Sequence, residues 1–431
     1  QETIKTLNTL QSNASVIEDS KQKKIYYKSL IVMDEMCRRA KINIDDLDKL
    51  KIIHVSGTKG KGSTCAFSES ILRYHGYKTG FYSSPHIVEV RERIRINGRP
   101  LAKDLFCNYF WDCYNNLNST KADRNDAMPG YFRFLTIMAF HTFLQEKVDV
   151  AIVEVGIGGH YDCTNIIKNP SICAVTNLGL DHTNVLGSTI EEIAWNKAGI
   201  FKEYIPALTV PQNADAFKVL QERSIERKAP LIQCVPDERM THVQLGIPGF
   251  MQAYNASLAV KICEMWMEDE NKHLITNHPD SYITRLFEGL TNCNWPGRCQ
   301  KVERGPVMYY LDGAHTEESI DVCTKWFLEE MDQGSKRDKR HKRSVRILLF
   351  NSTGDRQPCN LLKGLLKCRF DYAVFCPNIQ RPPTSSDKSA SLKSGFNSSI
   401  IIYCLSLLVI SYYYSSLLFF ILFVNVMHIS R

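Results

Sequence analysis

Between residues 51 and 177, short apolar runs alternate with stretches of helical length. That alternation predicts β-α-β units around a parallel sheet. Strands are expected at 51–55, 79–82, 148–153 and 171–176, and each passes at once into polar or glycine-rich chain. The first runs into Gly57, Thr58, Lys59, Gly60, Lys61, Gly62 and Ser63, and the second into Ser83, Ser84, Pro85 and His86. The third ends in Glu154, Val155 and Gly156, and the fourth leads to Asn177 and the pair Asp181 and His182. Open parallel sheets bind ligands beyond the carboxyl ends of their strands, so these four endings predict one site. A second alternating block follows Trp295, Pro296, Gly297 and Arg298, with strands expected at 307–311, 345–350 and 370–376 and a helix at 316–331. A domain boundary is therefore placed near 291–298, giving domains 1–296 and 297–393.

Composition adds limits to this picture. A chain of 431 residues, 44% hydrophobic, can bury more than one core. Its net charge of +7 is mild for that length; it does not point to nucleic acid and suits an anionic small substrate. The basic run 336–343 lies between a helix and a strand and reads as a solvated loop. Fifteen cysteines, with no C-x-x-C pair, read as reduced thiols of an intracellular protein. Residues 1–19 carry neither a signal-peptide core nor an Arg-rich amphipathic face, and a cleaved mitochondrial leader stays open.

The far end differs in kind. Residues 394–427 contain no charge, and 400–427 are apolar over a length that can span a bilayer. The tail 394–431 is open to three readings: a transmembrane anchor, a buried core segment, or an aberrant translated end. A folded replacement strand ranks last, because turn signals cease after Gly395. Without such a strand the second domain is truncated and its sheet exposes an edge.

Several residues carry chemistry by type and place. The run 57–63 follows a strand and precedes a helix expected at 65–75. Its glycines can turn N–H groups onto phosphate, Lys61 can neutralise charge, and Ser63 can reach a metal. Glu154 closes an apolar strand, where an unpaired carboxylate is costly. A lone carboxylate there is commonly an ion-pair or capping group, but Ser63 and Ser84 nearby make a hard oxygen set suited to Mg²⁺. His182 is chemically a poor choice for that ion and reads as structural by itself. Overlapping capping boxes at 188–192 start a helix reaching Ala198, which puts Lys197 in its last turn, favourably against the helix dipole. Asp312, Gly313, Ala314 and His315 follow a strand directly, and Arg298 can supply a guanidinium to phosphate. Arg91, Arg93 and Arg95 alternate with Glu92 and Ile94, which predicts a half-exposed strand with arginines available to carboxylates.

Taken in order, these segments resemble the folylpolyglutamate synthase branch of the Mur ligase superfamily. The matching residues are 54–64, 83–86 with 90–96, 128–134, 154–159, 181–183, 193–202, 295–298 and 311–315, and the likeness runs from about residue 2 to 378. It implies an α/β protein: a Mur-ligase-like P-loop domain with a parallel sheet, plus a smaller, truncated Rossmann-like α/β C-terminal domain, with ATP bound between them. Gly60, Lys61, Gly62 and Ser63 would hold phosphates, with Arg298 and Asp312 reaching the nucleotide. Ser63, Ser84, Glu154 and His182 would serve Mg²⁺, and a monovalent cation is admitted beside it. Lys197 matches a lysine carbamylated in relatives, and His315 a position near the γ-phosphate; Lys61, Lys197 and His315 form the implied catalytic set. Ser83, Pro85, His86 and Arg91 fall on the folate side.

The implied activity is ATP-dependent ligation of L-glutamate to the γ-carboxylate of folate polyglutamates by a monomer in cytoplasm, mitochondrion or both. Membrane association through 400–427 is the added expectation if the tail anchors. Two alternatives stand beside it: dihydrofolate synthase, and a catalytically silent, membrane-tethered protein that binds ATP or folate. The chain departs from the family at Met251, where a histidine is usual, and throughout the tail.

Overall fold

The computed structural model describes residues 1–10, 29–121, 128–270, 279–305, 307–337, 344–351, 358–375 and 421–427. The chain divides into two compact units. The first comprises 1–84, 91–246 and 252–294, and the second 85–90, 247–251 and 295–431.

The first unit is built on eight strands: β1 (Ile53–Ser56), β2 (Thr79–Tyr82), β3 (Ile94–Ile96), β4 (Arg99–Pro100), β5 (Val150–Glu154), β6 (Ile172–Val175), β7 (Ala207–Thr209) and β8 (Leu231–Gln233). Their spatial order is β4-β3-β2-β5-β1-β6-β7-β8. The six strands from β2 to β8 in that order run parallel, and β3 and β4 add an antiparallel edge. β1 lies between β5 and β6, with Ile53 paired to Ile152 on one side and Ile172 on the other. All four of its residues are buried, as a strand covered on both faces requires. Helix Lys61–Tyr74 packs close to helix Pro279–Thr291, where Ser70 donates to the Gly289 carbonyl at 2.7 Å. A β-carbon at Gly289 would come within 2.8 Å of the Ile71 Cα, so glycine sets how near the two helices approach.

The second unit holds β9 (Gln300–Arg304), β10 (Val307–Asp312), β11 (Ser344–Phe350), β12 (Tyr372–Phe375) and β13 (Ile421–Met427) in the order β12-β11-β13-β10-β9. Tyr310, Trp326, Phe327, Leu348, Phe350 and Leu361 form its core. The sheet is mixed: β11 and β12 are parallel, whereas β13 runs antiparallel to both β10 and β11.

Three expectations are corrected. Residues 421–427 of the apolar tail form an interior strand, the reading ranked last, so the sheet gains a strand between β10 and β11. An apolar, β-rich stretch needs only two edges to pair with, and turn signals elsewhere in the tail are not required for that. The rest of the tail, and with it most of the candidate membrane span, lies outside the described residues; no described helix is long and apolar enough to cross a membrane. Arg91 and Arg93 fall in a 3₁₀ turn, Val90–Arg93, and only Ile94–Ile96 is strand. Helix Glu317–Arg337 takes in residues 336 and 337 of the basic run, and 338–343 lie outside the described residues.

Candidate active site

β1 ends at Ser56, and the chain turns through residues 57–60 into helix Lys61–Tyr74. Glycine is required twice in that turn. Gly57 has φ +145° and a β-carbon there would lie 1.9 Å from Thr176 Oγ1; Gly60 has φ +88° and one there would lie 2.3 Å from Asn255 Oδ1. Thr64 N–H closes the first helical turn on the Gly60 carbonyl at 2.8 Å. The N–H groups of Lys61, Gly62 and Ser63 therefore have no helical carbonyl before them, and they form the positive end of the helix at the carboxyl edge of the sheet.

Lys61 Nζ and Lys197 Nζ both donate to the Gly57 carbonyl oxygen, at 3.0 and 2.8 Å. Lys197 arrives there from helix Ile190–Lys197, whose start is fixed by the Thr189/Glu192 capping box. The glycines after β5 let that helix end approach: a β-carbon on Gly159 would stand 2.6 Å from the Lys197 carbonyl oxygen. Lys197 is 2% exposed. Burial first, and then the charge of Lys61, hold its pKa well below the ordinary lysine range, while Asp181 opposes the shift. A surface cation stabilising a helix dipole does not describe this residue.

Glu154 is the last residue of β5 and is buried; its Oε2 accepts the Ser84 N–H at 3.2 Å, so these two expected ligands meet. Ser63 is buried in the first helical turn. His182 is exposed, with φ +52°, and its N–H donates to Asp181 Oδ1 at 3.0 Å. The hydroxyls of Ser63 and Ser84 with the Glu154 carboxylate are hard oxygen donors, as a divalent ion carrying nucleotide phosphates needs, and the His182 imidazole is the softer member. Among the described residues no three His, Cys, Asp or Glu side chains cluster to hold a metal on their own. The set thus fits an ion that draws most of its ligands from phosphate and water rather than from a protein cage.

Other residues that shape the site gave little signal in the sequence. Asp162 is buried and accepts from Ile157 N–H at 3.1 Å, Thr164 N–H at 2.9 Å and Thr164 Oγ1 at 2.6 Å. Burial raises its pKa and these bonds oppose the rise. It pins the glycine loop after β5, and the Asp-x-Thr cap at 162–164 was the one available clue. Asn255 faces Gly60 and donates to Gln252 Oε1 at 2.9 Å.

On the expected folate side, Ser83 N–H donates to the Arg93 carbonyl at 3.0 Å and Arg91 Nη1 donates to the Leu101 carbonyl at 2.8 Å. Arg93 is buried, its guanidinium 5.4 Å from the Tyr131 ring centroid. Pro85 and His86 belong to the second unit, apart from Ser83, Ser84 and Arg91.

Within the second unit, Asp312 ends β10. Its carboxylate accepts the N–H groups of Cys299 and Ala314, both at 2.8 Å, and burial pushes its pKa up against the pull of Arg298. Arg298 Nη1 donates to the Gly297 carbonyl at 3.2 Å, and a β-carbon at Gly313 would lie 2.1 Å from that same nitrogen. His315 Nδ1 lies 2.7 Å from the Gly313 carbonyl. Arg298, Asp312 and His315 thus surround one glycine turn.

No family model matches the chain. It is 46% identical over 425 residues to a protein named mitochondrial folylpolyglutamate synthase from Homo sapiens, covering 94% of this chain and 72% of the relative. The bovine protein of the same name is 45% identical over 427 residues, covering 94% and 73%. Among solved structures, a folylpolyglutamate synthase complex with AMPPCP and folate superimposes with a TM-score of 0.71 at 22% identity, covering 90% of this chain and 92% of that one. A bifunctional folylpolyglutamate synthase/dihydrofolate synthase with Mn, AMPPNP and L-glutamate bound gives 0.61 at 28% identity, covering 79% and 78%.

Proposed function

This chain belongs to the folylpolyglutamate synthase family of ATP-dependent ligases, and from that premise we propose how its own residues divide the work of joining L-glutamate to a folate. The observation that carries the assignment is the glycine turn after β1, which delivers Lys61 and the helix N-terminus to the carboxyl edge of the sheet. The N–H groups of Gly62 and Ser63 and the Lys61 ammonium receive the ATP phosphates.

The terminal γ-carboxylate of the folate attacks the γ-phosphorus, its oxygen forming the new P–O bond while ADP departs. The neutral amine of L-glutamate then attacks the acyl carbon, the acyl C–O bond breaks to release inorganic phosphate, and the nitrogen gives up one proton to phosphate or water, leaving the amide. Lys61 balances the charge that builds on phosphate as the first bond forms, so positioning and electrostatics supply most of the catalysis. Ser63, Ser84, Glu154 and His182 are assigned to Mg²⁺, which when bound adds charge neutralisation at the phosphates. Burial lowers the Lys197 pKa and so favours the nucleophilic amine that reacts with carbon dioxide, which supports a carbamate there. Arg298 and Asp312 are assigned to the nucleotide and His315 to the γ-phosphate. Ser83, Pro85, His86 and Arg91 are assigned to the folate.

The names of the human and bovine relatives support the mitochondrion as its compartment. The test is incorporation of labelled L-glutamate into tetrahydrofolate with Mg-ATP by the purified chain, beside Lys61→Ala. Folate-dependent incorporation that falls by roughly 100-fold or more in the variant supports the assignment. Equal rates in both proteins would remove Lys61 from the phosphate site. A parallel incubation with dihydropteroate separates dihydrofolate synthase activity from an enzyme that takes only preformed folates.

A further inference from the structure

The phosphate loop is fastened along its length to the segment after β6. Thr58 N–H and Lys59 N–H both donate to the Asn177 carbonyl, at 3.0 and 3.1 Å, and Thr176 Oγ1 donates to the Lys59 carbonyl at 2.7 Å. Thr58 Oγ1 donates to the Gly179 carbonyl at 3.1 Å and accepts the Gly179 N–H at 3.2 Å. The last tie is an ion pair, Lys59 Nζ to Asp181 Oδ2 at 3.1 Å, with side-chain exposures of 27% and 11%. The other oxygen of that carboxylate, Oδ1, accepts the N–H of His182, whose φ of +52° is a conformation that a residue with a β-carbon seldom adopts.

We propose that Asp181, held by Lys59, is a positioning residue that couples the shape of the phosphate loop to the placement of His182. One carboxylate spans the two groups: one oxygen holds a loop lysine, and the other holds the backbone at the residue assigned to the metal. The backbone N–H and carbonyl of Lys59 are taken by Asn177 and Thr176, so it is the side chain that reaches the carboxylate. The pair is less exposed to solvent screening than surface pairs such as Lys168–Asp45 and Lys228–Glu203. Supports one step removed from a metal ligand set its orientation, and losing one commonly costs tenfold or more in metal affinity. The proposal rests on the assignment of 57–63 to phosphate and of His182 to the metal.

The test measures Mn²⁺ binding in the presence of AMPPCP, by the electron paramagnetic resonance signal of the free ion, in the full chain and in Lys59→Met, Lys59→Arg, Asp181→Asn and the Lys59→Met/Asp181→Asn double variant. No turnover is involved, and thermal unfolding of each protein accompanies the titration. Lys59→Met is expected to weaken Mn²⁺ binding by about tenfold with an unchanged unfolding midpoint, Lys59→Arg to restore most of it, and the double variant to lose no more than Asp181→Asn alone. In the ligase assay the same variants raise the Mg²⁺ concentration needed for half-maximal rate and leave the KM for folate unchanged. Wild-type binding with no change in Lys59→Met overturns the coupling and leaves the site assignment standing. Failure of the wild-type chain to take up Mn²⁺ with AMPPCP overturns the site assignment, and the coupling with it.

Discussion

Lys61 and Lys197 reach the same carbonyl oxygen, that of Gly57, from two different helices. Burial of the Lys197 side chain, and then the charge of the half-buried Lys61 beside it, favour loss of the proton from the more buried of the two. Lys197 is that residue.

Its lowered pKa leads to a direct measurement. With ¹³C-bicarbonate, the wild-type chain is expected to show a carbamate carbon resonance that is missing from Lys197→Met. Active enzyme without that resonance would rule the modification out. The unmodified amine also carries a pH signature. Its folded pKa is lowered, so below about 10.5 the unfolded chain binds a proton that the folded chain does not. Stability attributable to this group therefore falls as pH drops from that value toward the depressed one. In bicarbonate-free buffer, Lys197→Met should show a flatter dependence of unfolding free energy on pH across the alkaline range, and equal slopes would contradict the burial argument.

His54 supplies a second pH dependence, at the acid end. It sits in β1 with no exposure, its Nε2 is 2.9 Å from Thr164 Oγ1, and burial lowers its pKa to about 3. Between its ordinary value of 6.5 and about 3 the unfolded chain takes up a proton that the fold refuses, so stability is lost as pH falls through that window. The loss is about 1.4 kcal/mol per pH unit. His54→Gln, which keeps a polar group toward Thr164, is expected to lose about 2–3 kcal/mol less than wild type between pH 6.5 and 4.5 in urea unfolding. Parallel losses in the two proteins would show that His54 is protonated in the fold.

The parts of this fold that were legible in the sequence are those set by local pattern. The four strands that frame the site, the helix after the phosphate loop and the Thr189/Glu192 cap all follow from periodicity and short-range hydrogen bonding, and their ends differ from expectation by only a few residues. Lys197 shows where that kind of reasoning stops. Its place in a last helical turn suggested a dipole partner, yet the glycine loop at 156–159 admits the helix end so closely that the side chain is buried against Gly57. The turn at Val90–Arg93 misled for a related reason, because alternation of charge and apolar residues mimics a strand whenever a short turn precedes a real one. The Lys59–Asp181 pair was illegible because its members lie far apart along the chain, and Asp162 showed only its Asp-x-Thr cap because its bond to the Ile157 amide is one no side-chain pattern records.

The strand Ile421–Met427 gives the prediction that bears most on the second unit. Six of its residues pair with β10 and all seven with β11, so among the described residues it is the strand that joins these two in the sheet. A chain ending at residue 420 would leave facing edges of β10 and β11 without their ladder partner, and unpaired backbone groups are costly to bury and prone to pair with other chains. Asp312, at the end of β10, belongs to that exposed edge, and Arg298 and His315 stand around the same turn. The truncated protein is therefore expected to lose hydrogen-exchange protection throughout β10 and β11, to self-associate, and to retain protection in β1, β5 and β6 of the first unit. Protection in β10 and β11 that matches the full chain would mean that β13 is not needed to hold the second sheet together. The apolar tail would then have to be explained by something other than this sheet.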